Sequence, residues 1–197
     1  SCFPKDTTAL LRTADGCGVP LRVVATVCAV NSDRKRAMAD RVVDALGGSA
    51  AGRTVAILGL TFKPNTDDMR DAPSIPLVRA LVERGASVAA FDPAAREQAE
   101  AVLPQVEFAR DPYEAARGAD ALVIVTEWDE FRALDLERLA AVMRGRVLVD
   151  LRNVYDRAEA EEAGFDYSGL GRGKVDGRPG RLRLVDETAG EDAKVAR

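Results

Sequence analysis

The spacing of apolar residues changes near Arg53. Before that point apolar positions recur at helical intervals; after it they arrive as short continuous runs separated by helical stretches. From Thr7 to about Cys17 the pattern predicts a helix, with Asp6 or Thr7 as its cap and Gly16 and Gly18 as its stop. Pro20 opens a long run to Leu46 that Gly47-Gly48 closes. Val23, Val27, Val30, Met38, Val42 and Leu46 fall on one stripe, broken by Asp33, Arg34, Lys35 and Arg36. The β-branched residues of VVATVCAV would suit a strand, but the length of the run decides for a helix. About 27 residues rising 1.5 Å each make a rod of roughly 40 Å, longer than a small domain needs for its own core. Such a rod links domains or pairs with a partner subunit, unless it is simply a long core helix.

Beyond Arg53 the pattern predicts a strand at Val55–Leu58 ending in Gly59, a helix from Ser74 to Arg84, and a strand at Val88–Phe91 ending in Asp92-Pro93. A helix at Ala95–Leu103, a strand at Val106–Phe108 and a helix at Pro112–Arg117 follow. The strand Ala121–Val125, the helix Leu134–Met143 and the strand Val147–Asp150 complete the series. Strands alternating with helices at this spacing predict an α/β fold: a Rossmann-like, doubly wound parallel sheet preceded by the long helix. Ligands are then expected beyond the carboxyl ends of the strands. The expected organisation is a cysteine segment and central helix over residues 1–50, a nucleotide-binding domain over 51–171, and a disordered tail over 172–197. The tail is rich in glycine and charge with little apolar patterning.

Composition narrows the chemistry. At 47% hydrophobic and 30% charged residues, the chain has the make-up of an ordinary globular protein. Its net charge of −4 speaks against nucleic acid as a partner. No apolar run approaches membrane-spanning length. The three cysteines, Cys2, Cys17 and Cys28, form no CxxC pair, so reduced thiols and a cytoplasmic setting are expected. With no histidine present, a Cys–His dyad and a histidine-ligated metal are excluded within this chain. Proton transfer falls to carboxylate, lysine, thiol or water. A start without methionine, with a reactive-looking motif at the very edge, points to a piece of a longer protein.

That motif is Ser1-Cys2-Phe3-Pro4-Lys5-Asp6. A thiol is nucleophilic as thiolate, and a nearby cation or helix N-terminus favours the thiolate. The alternative is a free cysteine beside a capped helix. The first strand runs into Gly59-Leu60-Thr61-Phe62-Lys63-Pro64 and on to Met69-Arg70-Asp71, which is not the GxGxxG dinucleotide fingerprint. Lys63 and Arg70 at the sheet edge suit phosphate or carboxylate, or else pair with Asp67, Asp68 and Asp71. Arg152, after Asp150-Leu151, sits at the same edge. Trp128 could stack on a base, although packing is the commoner role for such a residue.

Taken together, SCFPKD, AVNSDRK, GLTFKPNTDDMRDAPS, FDPAA, TEWDEF and DLRNVYD resemble the UDP-glucose 6-dehydrogenase branch of the UDP-glucose/GDP-mannose dehydrogenase family, in order and spacing from residue 1 to about 171. The resemblance implies NAD-dependent oxidation of UDP-glucose to UDP-glucuronate without release of the aldehyde. Cys2 matches the nucleophile, forming a thiohemiacetal and then a thioester that water hydrolyses. Asp6 matches the carboxylate that positions or deprotonates water; Cys2, Lys5 and Arg70 match cofactor contacts. Phe62, Lys63 and Arg152 match substrate contacts, and the central helix matches a homodimer interface. No metal and no nucleic-acid or membrane partner is implied. The family's amino-terminal NAD domain and its upstream oxyanion residues have no counterpart here, so the chain corresponds to a carboxyl-terminal portion expected to be inactive alone. A sibling acting on GDP-mannose or a UDP-N-acetylhexosamine, and a non-catalytic nucleotide-binding or dimerisation module, are the alternatives.

Overall fold

The computed structural model describes residues 2–172, with side chains from Pro4 onward. The Cys2 side chain and the expected tail beyond Arg172 lie outside the described residues. Two helices, α1 (Cys2–Gly16) and α2 (Arg22–Ala45), precede the sheet. There follow β1 (Thr54–Leu58), α3 (Ser74–Glu83), β2 (Ser87–Phe91), α4 (Arg96–Val102), β3 (Glu107–Phe108), α5 (Pro112–Ala116) and β4 (Ala121–Ile124). A 3₁₀ turn (Asp129–Ala133), α6 (Leu136–Val142), β5 (Val147–Asp150), α7 (Arg157–Glu162) and β6 (Asp166–Gly169) complete the described chain.

The six strands lie in the order β3-β2-β1-β4-β5-β6, every neighbouring pair parallel. The order reverses between β1 and β4, and this is the doubly wound arrangement expected from the alternating pattern. Side chains alternate across the sheet with period two. Val55, Ile57, Val88, Ala90, Val123 and Val149 pack on one face with Ala39 and Val42 of α2, Leu77 and Leu81 of α3, and Ala99 of α4. Ala56, Leu58, Leu122, Ile124 and Leu148 pack on the other with residues of α5, α6 and α7. Burial on both faces explains why the strands read as unbroken apolar runs.

Asp120 locks the amino-terminal edge of the sheet. Its carboxylate accepts from the Thr54 N–H at 2.8 Å and from Arg144 Nε at 2.9 Å. Arg144 and, secondarily, the Thr54 amide hold this carboxyl below the usual range, against the opposing effect of its burial.

Three local expectations are corrected. Helix α1 starts at Cys2, not at Thr7; Pro4 is tolerated in a first turn, and Thr7 Oγ1 donates to the Pro4 carbonyl, so Asp6 and Thr7 lie inside the helix. Helix α2 starts at Arg22 rather than Pro20. The sheet also gains α7 and β6 beyond the expected last strand, elements whose short length gives almost no periodic signal. The stripe on α2 divides: Val42 is fully buried, whereas Val23 and Val30 are 77% and 59% exposed. Among the described residues, no helix is long and apolar enough to cross a membrane.

Candidate functional site

The carboxyl edge of the sheet is organised by Gly59, the residue after β1. Its φ of +84° is open to glycine, and a Cβ there would stand 2.6 Å from the Thr126 side chain. The chain after β1 therefore lies directly against the chain after β4. Thr126 Oγ1 donates to the Thr61 carbonyl at 2.7 Å, and Ser74 Oγ, at the start of α3, donates to the Leu60 carbonyl.

Asp92, after β2, is the hub of this edge. One carboxylate oxygen accepts from the Leu60 N–H at 2.7 Å, the Thr61 N–H at 3.1 Å, the Thr61 hydroxyl at 3.2 Å and Trp128 Nε1 at 3.3 Å. The other accepts from the Ala94 and Ala95 N–H groups, each at 3.0 Å. Trp128 is accordingly a buried packing residue that closes the hub. Burial, followed by the charge of Asp92, raises the carboxyl of nearby Glu130.

At the end of β5, Asp150 is fully buried and plays the same part. It accepts from the Arg152 N–H and the Tyr155 N–H at 3.0 Å each and from the Tyr167 hydroxyl at 3.2 Å. Burial first, and then the Asp150 charge, push Tyr167 up to about 12. Asn153 adopts a left-handed φ of 53° and donates to the Leu170 carbonyl at 3.1 Å. The turn thereby presents Arg152 outward. Its Nε donates to the Val125 carbonyl at 2.8 Å and lies 3.1 Å from Glu127, and none of the described residues accepts from its two terminal nitrogens.

Beside the point where strand order reverses lies a cleft of about 280 Å³. Phe62, Val125, Leu151 and Arg152 line it from the ends of β1, β4 and β5. Helix α2 supplies Asn31, Arg34, Lys35 and Met38, and α1 supplies Pro4. A largely apolar lining with a few polar groups is the usual make-up of a small-molecule site. Of the residues expected to touch substrate, the cleft gathers Phe62 and Arg152, while Lys63 is exposed and outside its lining. Lys5 and Asp6 are exposed on α1, with Pro4 of the same turn on the cleft wall. Arg70 is exposed and forks onto Asp68, at 2.9 and 2.8 Å, which holds the Asp68 carboxyl well below the usual range. Arg34, Lys35 and Asn31 were not expected here. Their signal was the polar interruption of the α2 stripe.

Whether these residues fit NAD is decided at the turn after β1. In a dinucleotide-binding Rossmann domain that turn offers its N–H groups to the pyrophosphate. Here Asp92 already takes the N–H groups of Leu60 and Thr61. The turn after β1 therefore does not fit a dinucleotide, and Lys5 and Arg70 on their own do not form a cradle.

Comparison with known proteins agrees with this geometry. Residues 56–157 match the UDP-glucose/GDP-mannose dehydrogenase family, UDP binding domain. A UDP-glucose 6-dehydrogenase of Rhizobium meliloti is 55% identical over 172 residues, covering 87% of this chain and 39% of the relative. One from Pseudomonas aeruginosa is 44% identical over 178 residues, 87% of this chain and 39% of the relative. Among solved structures, a UDP-glucose dehydrogenase from Pyrobaculum islandicum superposes with a TM-score of 0.73 at 38% identity, covering 86% of this chain and 37% of the other. The chain thus spans about two fifths of the length of the curated relatives it matches.

Proposed function

This chain belongs to the UDP-glucose/GDP-mannose dehydrogenase family, and from that premise we propose that it is the nucleotide-sugar-binding part of a cytoplasmic UDP-glucose 6-dehydrogenase. In this reading residues 51–171 bind UDP-glucose, and residues 1–50 supply the reactive cysteine and the helix of a homodimer. The observation that carries it is the cleft itself: Phe62 and Arg152, expected at substrate, meet there with Pro4, two residues from Cys2.

The chemistry assigned to this chain's residues is brief. Phe62 packs against the ligand and the free fork of Arg152 holds an anionic oxygen. Once the C6 alcohol of the sugar has lost a hydride and a proton, the thiol of Cys2 adds to the resulting aldehyde carbon as a thiohemiacetal. Loss of a second hydride from that carbon, and of the proton on its hydroxyl, leaves a thioester. Asp6 guides the water that finally cleaves the thioester and releases the carboxylate and the free thiol. NAD would be the hydride acceptor of the whole reaction. Lys5 and Arg70, both exposed, are the residues proposed to reach it, and its cradle has to come from outside these residues.

The test is the amount of NADH formed per molecule of UDP-glucose by the full-length protein. Two are expected, with none from Cys2→Ser although that variant still binds UDP. One NADH per sugar with released aldehyde, or an undiminished yield from Cys2→Ser, would refute the covalent role. No NADH at all with UDP binding retained would mean another nucleotide sugar or a binding module.

A further inference from the structure

The polar interruption of α2 divides into groups with different fates. Arg36 pairs with Asp33 at 2.6 Å, an exposed contact along the helix. Lys35 donates to the Asp71 carbonyl at 3.1 Å, which ties α2 to the loop between β1 and α3. Arg34 lines the cleft, and none of the described residues accepts from it. Its own helix gives it no acid at the neighbouring turns, where Val30, Asn31, Ala37 and Met38 stand. The guanidinium of Arg34 is thus an unpaired cation on a cleft wall.

The wall it shares is positive in a protein that is acidic as a whole. Arg34, Lys35 and Arg152 line the cleft beside one lining carboxylate, Asp71, with Glu127 3.1 Å from the Arg152 Nε, while the chain carries a net charge of −4. Two guanidinium groups on different elements, Arg34 on α2 and Arg152 after β5, whose terminal nitrogens none of the described residues accepts from, suit a ligand with more than one anionic oxygen. We propose that Arg34 is a direct binding residue for the diphosphate of the nucleotide sugar, working from α2 as Arg152 works from the sheet. This rests on the reading that the cleft takes a nucleotide sugar. It adds to that reading a cation which the sequence alone placed only as a break in an apolar face.

The experiment is calorimetric titration of the full-length protein, and of its Arg34→Gln and Arg34→Lys variants, with UDP and with uridine. Arg34 is exposed, so substitution there should leave the fold intact. Arg34→Gln should weaken UDP about tenfold, the low end for a hydrogen bond to a charged group, and leave uridine unchanged. Arg34→Lys should fall between. Unchanged UDP affinity in Arg34→Gln would overturn the proposal, as would equal losses for UDP and uridine. A wild-type protein that binds neither would overturn the underlying reading of the cleft instead.

Discussion

Arg152 is positioned before any ligand arrives. Its N–H is fixed by Asp150, and its Nε by the Val125 carbonyl, with Glu127 close by. Less side-chain freedom is then lost when the terminal nitrogens meet an anion. Arg152→Ala in the full-length protein should weaken UDP by about 1.5–3 kcal/mol in a calorimetric titration. Lysine should not restore it, because one ammonium cannot hold the Val125 carbonyl and present a fork at once. Unchanged affinity would leave Arg152 as a purely structural group. Arg152 could be put at the ligand edge from sequence because it follows a strand closely, and the end of a parallel strand is itself that edge, whereas Phe62 was marked only by the family resemblance. Lys63 could not be aimed in the same way. The course of its loop depends on a bond from the Phe62 N–H to the Asp68 carbonyl at 2.9 Å, and on Asp92, far away in the chain. Arg34 was harder still, since helical spacing tells which positions meet the core and says nothing of what lies over the opposite face.

Helix α2 is a rod of 24 residues, about 36 Å long, seated on the sheet only through its later turns. Its earlier turns carry Val23, Val27 and Val30 at 77%, 41% and 59% exposure. If this half forms the proposed dimer interface, Val27→Asp should convert the full-length dimer to monomer in analytical sedimentation. The monomer itself should keep its stability to within about 0.5 kcal/mol, as expected for an exposed site. A variant that stays dimeric would locate the interface elsewhere. The extent of α2 was legible to within two residues because a long amphipathic pattern repeats itself many times. Helix α7 offers only Ala160 as a buried residue, and β6 offers Tyr167 as its large apolar side chain, so neither repeats often enough to be read. Both are recognisable only once Asp150 and the sheet edge are in place to receive Tyr167.

The whole sheet depends on carboxylates at its two ends. At the amino end Asp120 joins β1 to the segment before β5 through Thr54 and Arg144. Because its folded pKa is depressed, its contribution to stability is complete above the unfolded value near 4 and is lost as pH falls through the lower folded value. Asp120→Asn should cost about 1.5–3 kcal/mol at neutral pH by urea unfolding. The gap from wild type should begin to narrow near pH 4, where Asp120 of the unfolded chain takes up a proton, and close as the pH falls through the lower folded value. A gap that stays constant into acid would mean that the charge contributes nothing. At the carboxyl end, Asp92 has a different consequence. By occupying the amide donors after β1, it hands recognition to side chains that reach the cleft from separate parts of the chain. Main-chain donors survive almost any substitution, whereas an arginine or a phenylalanine can be exchanged by a single codon change. A sheet of this kind keeps its architecture constant and leaves its choice of ligand open to revision, one side chain at a time.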